Sequence, residues 1–262
     1  MTDEGPFYAP ADGEVELFAA AFKAKLPVML KGPTGCGKTR LVEHMAHRLQ
    51  VPLFTVSCHE DMTASDLLGR YVLTGGDTEW VDGPLTRAVR EGGICYLDEI
   101  VEARQDATVA IHSLTDHRRE LNIERLGGQT LKAADGFGLV VSYNPGYQSV
   151  LKDLKMSTRQ RMISIDLDFP SPEVEKRILV EEAGVDEAMA DDLVRLGAGI
   201  RRAKDSGLRE VASTRTLIAA AQLMRAGVSF VDATMAAVAG PLTDDRELRQ
   251  GLAAMIESYA EE

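Results

Sequence analysis

The sequence predicts an α/β fold: a parallel sheet with helices on both faces and a phosphate-binding loop, followed by a smaller all-helical domain. Three observations predict it. Gly32–Thr39 reads GPTGCGKT, set between the apolar run Pro27–Lys31 and the helical pattern Arg40–Leu49. Strand, glycine-rich loop, then helix is the context in which G-x-x-x-x-G-K-[ST] binds phosphate. Short apolar runs then alternate with helical patterns as far as Phe169, the mark of a parallel sheet. After Pro170-Ser171-Pro172 the strand pattern stops and helical patterns alone follow. The 262 residues suit one large domain, or a medium one and a small one.

Met1–Gly13, rich in Pro, Gly and acid, reads as a flexible arm. Glu14–Lys25 places Val15, Leu17, Phe18, Ala21 and Phe22 at helical spacing, with Asp12 as its cap. Pro27–Lys31 is a short buried strand. Along Arg40–Leu49, Leu41, Val42, Met45 and Leu49 share a side. His44 and His47 lie off that stripe and lack a third ligand, which reads as a solvated helix face. Pro52–Ser57 is the second strand. Asp61–Leu68 is a short helix with a capping box of Thr63 and Asp66. In Gly69–Val81 two β-rich runs flank Gly75-Gly76-Asp77, a hairpin that carries Trp80, the only tryptophan. Gly83–Glu91 returns to helix, so a hairpin interrupts the helical stretch.

Gly93–Leu97 is an apolar run ending at Asp98-Glu99. Ala103–Thr115 reads as a helix. Glu120–Ile123 and Gln129–Lys132 flank Gly127-Gly128 as a second hairpin. Gly138–Tyr143 is a buried strand that ends at Asn144-Pro145, and Ile163–Phe169 alternates like a strand with one face exposed. Val174–Ala183, Glu187–Lys204, Thr214–Ala226, Phe230–Ala239 and Glu247–Tyr259 read as helices. The expected division is an arm at 1–13, an α/β domain at 14–170 with hairpins near 69–81 and 120–132, and a helical domain at 171–262.

Composition narrows the function. The net charge of −12 argues against a nucleic-acid-binding surface. Cys36, Cys58 and Cys95 are far apart, with neither zinc-ligand nor C-x-x-C spacing, and read as packing residues of a reducing compartment. No targeting segment opens the chain, and no run reaches the roughly 18 apolar residues of a membrane span. A cytoplasmic protein without membrane insertion is expected.

The loop supplies the first chemistry. Gly32, Pro33, Thr34, Gly35, Cys36 and Gly37 would turn backbone N–H groups towards phosphate oxygens, helped by the following helix N-terminus. Lys38 would reach the β- and γ-phosphates, and the Thr39 hydroxyl would ligate Mg²⁺. Asp98 and Glu99 emerge at the carboxyl end of a central strand, 60 residues after Lys38 in the case of Asp98, where such sheets bind ligands. Asp98 would hold the Mg²⁺ through water and Glu99 would orient or deprotonate an attacking water. On spacing alone, Asn144 is either a contact to the γ-phosphate or the attacking water, or a turn residue before Pro145. Arg159 and Arg161 are either a phosphoryl clamp or a surface pair. Arg215 either reports on the γ-phosphate or pairs with a nearby acid.

Taken in order, these residues resemble an AAA+ ATPase. GPTGCGKT resembles Walker A and ICYLDE Walker B. Asn144 matches sensor 1, Arg159 and Arg161 fall where the family has arginine fingers, and Arg215 falls at sensor 2. The two hairpins resemble the helix-2 insert and the pre-sensor-1 hairpin of the MoxR group. Within it, VMLKGPTGCGKTR, EDMTASDLLGRY, DGPLTRAVREG, ICYLDEIVEARQD, SLTDHRREL, VVSYNPGYQS and KDLKMSTRQR are similar to the CbbQ/NirQ/NorQ branch, most of all to its Rubisco-activase motors. One departure is Met162, where the branch more often has an aromatic residue. The resemblance implies ATP and Mg²⁺ as cofactors and a homo-oligomeric ring, usually hexameric, with nucleotide at subunit interfaces and the arginine finger acting in trans. The helical domain would be the lid. It also implies a CbbO-type partner with a von Willebrand A domain, and as target Rubisco freed of inhibitory sugar phosphates, or else nitric oxide or nitrite reductase. A nucleic-acid-translocating ring is the remaining alternative.

Overall fold

The computed structural model describes residues 5–144, 154–203, 208 and 210–260. Residues 1–4 of the expected arm, 145–153 of the motif stretches and the expected helix end at Lys204 lie outside the described residues. Contacts divide the chain into two units: one of 1–6, 12–33 and 38–167, the other of 7–11, 34–37 and 168–262.

The first unit opens with α1 (Glu14–Lys23), β1 (Val28–Lys31), α2 (Lys38–Leu49), β2 (Leu53–Ser57) and α3 (Ala64–Leu68). Next come the hairpin β3–β4 (Gly69–Thr74, Asp77–Asp82), α4 (Pro84–Glu91) and β5 (Gly93–Asp98). A 3₁₀ turn (Ile100–Glu102), α5 (Gln105–Ala110) and a second 3₁₀ turn (His112–Leu114) lead to the hairpin β6–β7 (Glu120–Ile123, Gln129–Lys132). β8 (Phe137–Tyr143), α6 (Met156–Arg159) and β9 (Ile163–Asp166) complete it. Five strands form one sheet in the order β2-β5-β8-β1-β9, every neighbouring pair parallel. Each hairpin is a two-stranded sheet of its own.

Strand periodicity divides the core. Met29, Cys95, Leu97, Leu139 and Val141 cluster with Leu85, Ala88 and Val89 of α4. The alternate residues Leu30, Ile94, Tyr96 and Val140 are equally buried on the opposite face, where α1 and α2 pack. There Gly138 leaves room for Phe22: a Cβ at that position would fall 2.7 Å from the ring. Helices therefore cover both faces, as the apolar strands require.

Several local expectations are corrected. Asp12 does not cap α1; Gly13 in a left-handed turn precedes it without a side-chain bond, and the Asp12 N–H donates to Glu14 Oε2 at 2.7 Å. The helix ends at Lys23, and Leu17 is 45% exposed rather than on the buried stripe. Ala103–Thr115 is not one helix. After Ala110 the backbone bonds span three residues, Leu114 N–H to the Ile111 carbonyl at 3.1 Å and Thr115 N–H to the His112 carbonyl at 3.2 Å, which is 3₁₀ geometry; the His112 carbonyl also accepts from Thr115 Oγ1 at 2.8 Å and from Arg161 Nη1 at 3.3 Å. β9 ends at Asp166 because its partner β1 ends at Lys31, whose carbonyl still accepts the Leu167 N–H at 2.7 Å.

The second unit holds α7 (Pro172–Ala183), α8 (Glu187–Arg202), α9 (Thr214–Arg225), α10 (Phe230–Thr234), α11 (Gly240–Leu242) and α12 (Arg246–Ala260). Ser171 caps α7, accepting the Val174 N–H, with Pro172 in the first turn. The apparent break in composition is thus a helix start. The helix expected at Phe230–Ala239 is present and runs on into α11, with a π-helical turn at Met235–Ala239 between α10 and α11. Pro241 follows, with no N–H to give the carbonyl four residues back. Leu179, Leu193, Leu196, Ile200, Leu217 and Ile256 form this unit's core. Phe7–Ala11 belongs to this unit; Ala9 is buried and the Phe7 ring lies 5.5 Å from Arg177 Cζ.

Candidate nucleotide site

β1 is paired on both sides up to Lys31, which faces Tyr143 and Asp166. The chain then leaves the sheet as the loop Gly32–Thr39. Gly35 and Gly37 take φ of 75° and 103°, a backbone conformation that needs glycine. Gly32 and Cys36 are buried; Pro33, Thr34, Gly35 and Gly37 are half-buried. Lys38 opens α2 and folds back over the loop, its Nζ donating to the carbonyls of Gly32 and Pro33 at 2.9 Å each. An ammonium group above a helix N-terminus is a seat for anions.

Parallel register brings the carboxyl ends of β1, β5 and β8 side by side, the crevice in which such sheets bind ligands. β5 delivers Asp98 there. Its Oδ1 accepts from Tyr96 Oη at 2.6 Å and from Ser142 Oγ. Its Oδ2 accepts from the Thr39 hydroxyl at 3.4 Å. Tyr96 is fully buried, and burial, then the Asp98 charge, pushes its phenol well above the usual range. It therefore stays a hydrogen-bond donor. Glu99 follows with φ 56° and ψ 45°, exposed, its N–H donating to Ser142 Oγ at 3.0 Å. Cys58, whose N–H donates to the Asp98 carbonyl at 2.9 Å, has a thiol pushed up to about 12 by burial and then by Asp98 and Glu99. It is inert packing at neutral pH.

Asn144, half-buried, directly follows β8. Arg159 on α6 sets its Cζ 5.8 Å from the Tyr143 ring centroid, next to Asn144 in sequence. Arg161 is exposed and turned to the His112 carbonyl instead. The two arginines therefore lie against different partners. Arg215 is exposed in the first turn of α9. Within the second unit, a Cβ built on Gly35 would fall 2.6 Å from Ser213 Cβ and 3.4 Å from Arg215 Cβ.

The structure therefore groups Lys38, Thr39, Asp98, Glu99 and Asn144 at one end of the sheet. Spacing did not point to Tyr96 or Ser142. The signal available was a hydroxyl on each of two apolar strands, GICYLD and FGLVVSY. The Thr39 hydroxyl and Asp98 carboxylate are hard oxygen donors, which fit Mg²⁺. Among the described residues no group of three His, Cys, Asp or Glu side chains could hold a metal. A magnesium ion there would complete its shell from phosphate and water. No helix among the described residues is long and apolar enough to cross a membrane.

Comparison with known proteins matches residues 27–162 to the AAA domain (dynein-related subfamily) and residues 175–259 to the CbbQ/NirQ/NorQ C-terminal family. Over 244 residues the chain is 56% identical to the denitrification regulatory protein NirQ of Stutzerimonas stutzeri, covering 93% of this chain and 88% of that one. It is 56% identical over 249 residues to protein NorQ of Paracoccus denitrificans, covering 95% and 92%. To protein CbbQ of Hydrogenophilus thermoluteolus it is 52% identical over 249 residues, covering 95% and 93%. The fold is shared with a solved structure of a candidate ATPase from Cytophaga hutchinsonii, at a TM-score of 0.52 and 18% identity, over 93% of this chain and 80% of that one.

Proposed function

Because the chain belongs to the CbbQ/NirQ/NorQ branch of the AAA+ ATPases, we propose that it is an ATP-hydrolysing motor that remodels a target protein complex. The observation that carries the reading is the Asp98 carboxylate, held by Tyr96 and Ser142 with its second oxygen towards Thr39, and Glu99 exposed beside it. Gly32–Thr39 binds the phosphates, with Lys38 on the β- and γ-groups. Thr39 and Asp98 hold Mg²⁺, which when bound neutralises phosphate charge. Glu99 orients and deprotonates the attacking water. Asn144 hydrogen-bonds that water or the γ-phosphate, and Arg215 links the nucleotide state to the helical lid. Arg159 or Arg161 serves the nucleotide of a neighbouring subunit in a ring, taken as hexameric. The reading places the motor in the cytoplasm.

The target reading is Rubisco, freed of inhibitory sugar phosphate together with a CbbO-type partner bearing a von Willebrand A domain. A second reading, activation or assembly of nitric oxide or nitrite reductase, has support of the same kind, since the chain is similarly identical to NirQ and NorQ (56%) and to CbbQ (52%). One experiment separates them. The protein, ATP and each partner are mixed with sugar-phosphate-inhibited Rubisco, and in parallel with inactive nitric oxide reductase. Recovery of carboxylation supports the first reading. Recovery of reductase activity alone, with ATPase turnover intact, supports the second.

A further inference from the structure

On β8, the strand next to the one that leads into the phosphate loop, one buried hydroxyl touches both acids of the candidate site. A serine hydroxyl donates one hydrogen bond and accepts two. Ser142 Oγ donates to Asp98 Oδ1 and accepts the Glu99 backbone N–H at 3.0 Å. Ser142 is fully buried, so water cannot stand in for it. Tyr96 Oη supplies a second donor to the same Asp98 oxygen at 2.6 Å. Oδ1 is thereby committed inward, and Oδ2 is the oxygen that faces Thr39 Oγ1. At the next residue the backbone turns left-handed, φ 56°, which a residue with a Cβ adopts only when its surroundings hold it there. The Glu99 N–H bond to Ser142 is that hold.

We propose that Ser142 is a positioning residue for ATP hydrolysis, its hydroxyl fixing the carboxylate of Asp98 for Mg²⁺ and the backbone turn of Glu99 for water, with Tyr96 assisting only the former. The proposal rests on the ATPase reading above. It also gives β8 a role beyond carrying Asn144. Ser142 precedes Asn144 by two residues, so a shift of the strand end on contact with the γ-phosphate moves the hydroxyl on which both acids depend.

The test uses the full chain and two readouts: turnover as a function of Mg²⁺, and calorimetric binding of a non-hydrolysable ATP analogue with and without Mg²⁺. Ser142→Ala lowers kcat about tenfold or more and raises the Mg²⁺ needed for half-saturation, while metal-free analogue binding is unchanged. Ser142→Thr restores most of the turnover. Tyr96→Phe raises the Mg²⁺ requirement in both readouts. A role in packing alone lowers thermal stability without moving the Mg²⁺ dependence, and that result overturns the proposal. Should Ser142→Ala fail to fold, Ser142→Cys, which fills the same space with a weak hydrogen-bonding group, replaces it, and an unchanged Mg²⁺ dependence of that variant overturns the proposal equally. If the wild-type chain binds the Mg²⁺ analogue complex but hydrolyses no ATP, the ATPase reading fails. The calorimetric arm then still decides whether Ser142 and Tyr96 position Asp98.

Discussion

At Glu99 the side chain is exposed while its backbone is pinned, which separates binding from turnover. Glu99→Gln keeps size and polarity but removes the base. Turnover falls by about 100-fold or more, while affinity for ATP, measured by equilibrium dialysis, stays at the wild-type value. Lys38→Ala does the reverse, weakening binding itself, because it deletes the ammonium held over the loop by the Gly32 and Pro33 carbonyls. Wild-type turnover in Glu99→Gln would refute the assignment. The phosphate loop and the Asp98-Glu99 pair are legible in sequence because both chemistries demand particular side chains at fixed intervals. Ser142 and Tyr96 are not. Their role depends on β5 lying beside β8 and on α2 covering that face, a pairing of residues 44 apart in one bond that no local pattern encodes.

Among the elements, α7, α8 and the start of α9 are tied by one buried ion pair. Arg201 donates to Glu175 through Nη1 at 2.7 Å and Nη2 at 2.6 Å, and through Nε to the Ala212 carbonyl at 2.8 Å. Thr214 Oγ1 donates to Glu175 at 2.6 Å, and the guanidinium lies 4.3 Å from the Phe169 ring centroid. Glu175 is 1% exposed. Glu175→Ala strands the Arg201 charge and costs about 3–5 kcal/mol, whereas replacing both partners by Met costs much less; urea unfolding of the single and double variants checks this. The 3₁₀ turn at His112–Leu114 carries a pH dependence. Burial, then Arg161 and Lys155, holds the His112 imidazole below its ordinary pKa, and its Nε2 lies 2.7 Å from Thr158 Oγ1. The unfolded chain binds the proton more readily, so stability rises with pH. The contribution is complete above the unfolded value of about 6.5 and is lost as pH falls from there through the lower folded-state value. The thermal midpoint of the wild type therefore drops more between about pH 7.5 and 5.5 than that of His112→Gln. Sequence showed that a helical pattern lies near this turn. It missed the break, where His112 meets Thr158 and Arg161 from far along the chain.

For the whole molecule, the ring reading makes a prediction that no single subunit satisfies. Glu99→Gln and Arg159→Ala subunits are each inactive alone. Mixed rings place an intact Glu99 against a neighbour's intact Arg159, so turnover of the mixture exceeds that of either parent. The same mixing with Arg161→Ala identifies which arginine acts across the interface, and no gain from either pair removes the trans role. Contacts divide the chain at Leu167 and Asp168, and the strand pattern of the sequence ends nearby, at Phe169. The grouping of Phe7–Ala11 and Thr34–Gly37 with the helical unit was not visible in sequence, since it arises from tertiary contacts alone.

The hairpin β3–β4 gives the molecule an optical handle. Trp80 is the single tryptophan of the chain. Its ring meets Tyr71 edge-on at 5.2 Å and its indole N–H donates to Asp82 Oδ1 at 2.6 Å, while Leu73 nearby is 74% exposed. Intrinsic indole fluorescence therefore reports from this hairpin and nowhere else. Any protein that bound over the hairpin would change the emission without an attached dye, and a chain carrying Trp80→Phe supplies the dark control.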